Sequence, residues 1–69
     1  MKPNLKLRSL RVGKGMRQKD MCSLLGLKGE ASYSQTENNK RPFSQQEIKK
    51  IAYFFDLSGD DIKDIFFTL

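Results

Sequence analysis

Apolar side chains recur along this chain at helical spacing, in short groups separated by glycine, proline or asparagine. Leu7 and Leu10, with Leu5 near the same register, alternate with Lys6, Arg8 and Arg11, the pattern of a helix with one apolar face. Asn4 is placed to cap this first helix, and Gly13 and Gly15 end it, because glycine readily takes the left-handed conformation there. Met21, Cys22, Leu24 and Leu25 predict a second helix from Arg17 or Gln18 to Leu25. Arg17 is a poor N-cap, so this start is expected to be weakly fixed. Gly26 ends the helix, Leu27 follows as a buried anchor, and Lys28 and Gly29 form a turn.

A third helix is predicted from near Glu30 to Asn38 and Asn39, with Asn39 as a left-handed terminator. It is unusually polar, since Ala31 and Tyr33 are its only apolar positions. A short polar helix contributes little to a core, which suggests that its polar side serves a partner. After the basic loop Lys40-Arg41-Pro42-Phe43, Ser44 and Glu47 form a capping box that opens the most clearly patterned helix. Ile48, Ile51, Ala52 and Phe55 follow at i, i+3, i+4 and i+7, and Asp56 or Leu57 ends it. Ser58 caps a last helix from Gly59 to Phe66, with Asp60 and Asp61 favourable at its N-terminus and Ile62, Ile65 and Phe66 inward. Phe67 and Leu69 are surplus apolar side chains that either close over the core, the preferred reading, or meet a second copy. Five helices and no strand pattern give an all-α fold in a single domain, residues 1–69.

The chain has 69 residues, enough for one small domain with a modest core. No apolar run approaches the roughly 18–20 residues needed to span a bilayer, and the N-terminus lacks the apolar stretch of a secretory signal. No membrane association is expected, and a cytoplasmic location is. The single Cys22 excludes an internal disulfide and a cysteine metal cluster, and there is no histidine to serve as general base or metal ligand. No cofactor, metal or catalytic residue is expected. The net charge of +5 is unevenly spread: residues 1–28 carry eight basic and one acidic side chain, residues 29–69 five basic and seven acidic. A basic front with a mildly acidic back suits a polyanionic partner, or a solvated basic surface.

Leu7-x-x-Leu10-Arg11-x-x-x-Gly15-Met16-x-Gln18 resembles the opening of phage Cro and repressor-type helix-turn-helix domains, the XRE family. Gln18-Lys19-Asp20-Met21-Cys22-x-Leu24-Leu25-Gly26-Leu27 is similar to the family's second helix and turn, with Cys22 where a small alanine is usual, which makes it a packing residue. Glu37-Asn38-Asn39-Lys40-Arg41 resembles the loop after the recognition helix. Ile48 to Ala52, Leu57-Ser58 and Asp64 to Phe67 are similar to the last two helices. The resemblance covers residues 5–67, and its closing segments look most like small phage and prophage regulators from Gram-positive hosts. It implies a five-helix lambda-repressor-like domain with the helix-turn-helix at residues 18–38. One departure falls in the turn, where Gly26 to Tyr33 counts seven residues against the family's six. Reading without a gap would bury Ser32 and Gln35, so the extra residue is placed near Lys28 and Gly29. Tyr33 then anchors helix three, with a polar Thr36 beside it.

The resemblance implies that helix three enters the major groove of double-stranded DNA. With Tyr33 and Thr36 inward, Glu30, Ala31, Ser34 and Gln35 become the base-contacting candidates. Gln35 has the chemistry to pair adenine bidentately, and Glu30 either accepts from cytosine or serves the helix dipole. Ser32 and Ser34 are suited to phosphate or base. Gln18, Lys19, Lys28, Ser32, Asn38, Lys40 and Arg41 are the phosphate-contacting candidates, and Arg11 with Glu37 forms a structural pair. The expected function is that of a Cro-like repressor binding a near-palindromic operator, as a homodimer at least on DNA. The alternative is an antirepressor of the same fold that binds a phage repressor protein. An enzymatic reading would need Tyr33 as nucleophile, which its inward placement disfavours.

Overall fold

Five α-helices make up the computed structural model, which describes residues 3–67: α1 Leu5–Gly13, α2 Gln18–Leu25, α3 Glu30–Glu37, α4 Gln45–Phe55 and α5 Gly59–Phe66. No strand occurs among the described residues, so the fold is all-α, as the apolar spacing predicts. Three helix starts are closed by short polar side chains. The Asn4 carboxamide oxygen accepts from the Leu7 N–H at 3.1 Å. Ser44 and Glu47 satisfy each other's backbone at 3.2 and 2.8 Å, and Ser58 and Asp61 do so at 3.1 and 3.0 Å. The start of α2 is firmer than expected. Arg17 has no side-chain acceptor to offer, but the Asp20 carboxylate takes the Arg17 N–H at 2.8 Å. That is the half of a capping box that needs no serine or threonine.

Four helix ends close in one way, with a left-handed residue followed by a backbone N–H that reaches back five residues. The pivots are Gly15, Gly26, Asn39 and Asp56, with φ of 67°, 72°, 59° and 54°. The returning bonds are Met16 to Arg11, Leu27 to Cys22, Lys40 to Gln35 and Leu57 to Ala52, all between 2.7 and 3.0 Å. Asn39 is thus the left-handed terminator its position suggests. Asp56 has the same geometry without the freedom of glycine.

The residue after the pivot packs inward at three of these ends, since Met16, Leu27 and Leu57 all lie against the core. The core itself is Leu7, Met21, Cys22, Leu25, Tyr33 and Ile51. Among these, Leu7, Met21, Leu25 and Ile51 each contribute about 1.5–3 kcal/mol before ordering entropy is subtracted. Helix α2 packs on both α3 and α4, and α4 packs on α5. Ile65 and Phe66 of α5 are half-buried, and Phe66 meets Phe43 edge-on at 5.3 Å.

Two apolar expectations are corrected. Leu5 is 62% exposed, because the inward stripe of α1 runs through Leu7 and Leu10 instead. Phe67 does not close over the core and is 64% exposed. Helix α5 ends at Phe66, whose ring already occupies the place beside Phe43. Leu69, paired with Phe67 in that expectation, lies outside the described residues.

Candidate nucleic-acid interface

The α2–α3 unit is held at its turn by two kinds of contact. Gly26 reverses the chain and sends Leu27 against the core. Beyond it, the Cys22 thiol donates to the Gly29 carbonyl at 3.1 Å, tying α2 to the residue that caps α3. Cys22 is therefore a packing residue in a close helix contact. Tyr33 is fully buried, which fixes the register of α3.

Inward from α3 come Tyr33, Thr36 and Glu37, all buried. A polar Thr36 is accommodated because its hydroxyl donates to the Tyr33 carbonyl of its own helix at 2.6 Å. Glu37 receives the Arg11 guanidinium in a two-pronged pair, Nε to Oε2 at 3.1 Å and Nη2 to Oε1 at 3.2 Å. Arg11 also donates to the Met16 carbonyl at 2.8 Å, and the Asn4 N–H reaches the Glu37 carbonyl at 2.7 Å. The end of α3 is thereby fastened to both ends of α1. The Tyr33 hydroxyl is buried without a hydrogen bond, and burial first, then the Glu37 charge, hold its ionisation far above the usual tyrosine range. A tyrosine so placed is a packing group.

The opposite side of α3 is open. Glu30, Ala31 and Gln35 are exposed, and Ser32, Ser34 and Asn38 are half-buried. Ala31, Ser34, Gln35 and Asn38 stand at i, i+3, i+4 and i+7, one continuous stripe. Exposed lysines bracket the helix, Lys28 before it and Lys40 after it. Lys40 occupies the position after the left-handed pivot, where the other three ends carry Met16, Leu27 and Leu57. At this exit alone among the four, the chain turns a cation outward in place of an apolar anchor.

The remaining candidates are placed as follows. Gln18 is half-buried as the first residue of α2, and Lys19 beside it is exposed. Arg41 is half-buried and donates to Glu47 at 3.2 Å. Burial alone would raise the Glu47 pKa, but the Ser44 N–H and the Arg41 guanidinium outweigh it and hold the carboxyl below its usual range. One arm of Arg41 thus braces the α3–α4 loop. Asn38 directs its amide group into its own helix, donating to the Ser34 carbonyl at 2.8 Å and the Ser34 hydroxyl at 3.2 Å. Sequence reasoning missed both of these bonds. For Asn38 the available signal was its i, i+4 spacing from Ser34.

No group of three or more Cys, Asp or Glu among the described residues is arranged to hold a metal. No helix among them is long and apolar enough to cross a membrane. A helix-turn-helix family model matches residues 7–62, from within α1 into α5, and so includes the whole α2–α3 unit. No curated protein and no solved structure matches the chain. With most of its length matched and α2 joined to α3 through Gly26, the chain belongs to the XRE-type helix-turn-helix family of DNA-binding transcriptional regulators.

Proposed function

We propose that this domain is a sequence-specific regulator that lays α3 in the major groove of a short, near-palindromic operator. The observation that carries this is the division of α3. Its inward positions are filled by Tyr33, Thr36 and Glu37, while the stripe through Ala31 and Gln35 is open and bracketed by Lys28 and Lys40. Gln35 is the base reader in this arrangement, since its amide matches the two-point edge of adenine. Ala31 and Glu30 sit toward the entry of the helix, where a small side chain suits a thymine methyl and a carboxylate suits the cytosine amine. Gln18, Lys19, Lys28 and Lys40 hold phosphates, Ser32 adds a hydroxyl, and Arg41 uses the donors that Glu47 leaves free.

A single domain offers little contact area, so two copies act on half-sites about one helical turn apart. The exposed Phe67 is available to their contact. The biological setting proposed is a Cro-like repressor of a phage or prophage switch. Its support is the resemblance of the Glu47–Ala52 and Asp64–Phe67 segments to small regulators of that kind.

The test is selection of duplexes from a randomised library with the purified domain, followed by titration of the selected duplex and of a random one. Gln35→Ala is expected to weaken the selected duplex by about 1–3 kcal/mol and leave the random one nearly unchanged. Lys40→Ala should weaken both and reduce the salt slope by about one. Equal loss on both duplexes for Gln35→Ala would remove it as a base reader. A domain that shifts no duplex but binds a neighbouring repressor would replace this reading with the antirepressor one.

A further inference from the structure

The open stripe of α3 contains a polar pair whose hydrogen-bond polarity is fixed. The Ser34 carbonyl can only accept, so the Asn38 atom 2.8 Å from it must be the amide nitrogen. The same nitrogen lies 3.2 Å from the Ser34 hydroxyl oxygen, so both of its contacts are to Ser34. With its nitrogen turned to Ser34 by both contacts, the group Asn38 presents outward is its carbonyl oxygen, the wrong polarity for a phosphate. Ser34 is changed by the same bond. Its oxygen is already accepting, and among the described residues its own hydrogen meets no acceptor. A mid-helix serine commonly turns that hydrogen back to a carbonyl of the preceding turn, and here it does not.

We infer that Asn38 is a positioning residue that orients Ser34 as an outward hydrogen-bond donor toward an acceptor on DNA, and that Asn38 itself makes no phosphate contact. This rests on the DNA-binding reading above. A phosphate oxygen and a purine acceptor in the groove present the same chemistry to that hydroxyl. The oriented donor raises affinity because the bond from Asn38 occupies one side of the hydroxyl oxygen and leaves its hydrogen less rotational freedom to lose in the complex.

The test is a double-substitution cycle on DNA affinity, with Ser34→Ala, Asn38→Ala and both together. The probes are a 20-base-pair random duplex at low salt and a duplex selected from a randomised library. Circular dichroism and thermal unfolding of each variant establish that it is folded. Ser34→Ala is expected to lose about tenfold, the scale of a hydrogen bond to a charged acceptor. Asn38→Ala should lose about threefold, and the double variant no more than Ser34→Ala alone. Loss on both duplexes identifies a phosphate as the acceptor, and loss on the selected duplex alone identifies a base. Either supports the inference. Losses that multiply would mean that Asn38 touches DNA independently, and a Ser34→Ala variant with unchanged affinity would mean that there is no contact to orient. Both overturn the inference while leaving the DNA-binding reading intact. An unaltered domain that binds neither duplex removes both.

Discussion

The exits of α2 and α3 have the same backbone and opposite surroundings. Each closes through a left-handed residue, Gly26 or Asn39, and a returning N–H bond, from Leu27 to Cys22 at 2.9 Å and from Lys40 to Gln35 at 2.7 Å. After Gly26 the chain buries Leu27 against the core, so the α2 exit is held by apolar contact. After Asn39 it exposes Lys40, and no such anchor exists. The α3 exit is held instead by the buried Arg11–Glu37 pair and by the Asn4 N–H on the Glu37 carbonyl. A helix whose outer side is polar and open is not wrapped in apolar side chains there. Its anchorage is moved to a few directional contacts on the inner side.

The largest effect should come from breaking that substitute anchor. Glu37 is only 3% exposed in its side chain, and Arg11→Ala would leave its carboxylate buried without a charged partner while also freeing the Met16 carbonyl. Removing one partner of a buried pair costs about 3–5 kcal/mol, far more than the pair itself contributes relative to apolar substitutes. For a domain of this size that is a large share of total stability. Denaturant unfolding is the measurement. A loss under about 1 kcal/mol would mean that Glu37 reaches water or another donor and that the α3 exit does not depend on the pair.

Much of this contrast is legible in the amino-acid sequence, and the parts that are not share a physical reason. Ser44 with Glu47 and the Ile48, Ile51 and Phe55 spacing define α4 because capping and periodicity act over a few neighbouring residues. Gly26 and Asn39 mark their turns because few residue types tolerate positive φ. Once Tyr33 was placed inward, the open set on α3 followed from helix geometry. Asp56 is expected to end α4 but not to be its left-handed pivot, because aspartate tolerates positive φ without requiring it. The Asp20 carboxylate that fixes the α2 start lies three positions past a cap residue that offers no acceptor, so the cap position alone does not reveal it. The Asn38–Ser34 bond and the Arg41–Glu47 pair depend on which rotamer a side chain adopts. Phe67 was expected inward because burial of aromatic residues is a common outcome, yet the place available was already filled by Phe66.

The apolar exit gives the next largest effect. Leu27 is half-buried and packs on the core just after the turn, so Leu27→Ala should cost about 1–3 kcal/mol, less than the roughly 2–5 kcal/mol of a fully buried leucine. Lys40→Ala, at the equivalent place after α3, should change stability by less than about 0.5 kcal/mol because it removes no buried contact. Thermal unfolding of the two variants side by side tests the contrast. Equal losses would show that Lys40 packs through its aliphatic stem and that the two exits are held alike.

The smallest effect concerns the pivot itself. Asp56 closes α4 with φ at 54°, in the geometry that glycine supplies at the α2 exit. An aspartate there bears two costs that glycine does not, the steric penalty of the left-handed region and a negative charge beside the carbonyl end of the helix dipole. Glycine gives back part of the gain through the larger conformational entropy of the unfolded chain. Asp56→Gly is therefore expected to stabilise the domain by about 0.5–1 kcal/mol. Asp56→Asn separates the two costs, because it removes the charge and keeps a side chain of the same shape and similar left-handed tolerance. A gain with glycine larger than with asparagine assigns the difference to backbone strain. Equal gains would assign it to the charge, and the strain of a non-glycine pivot at this exit would then be negligible.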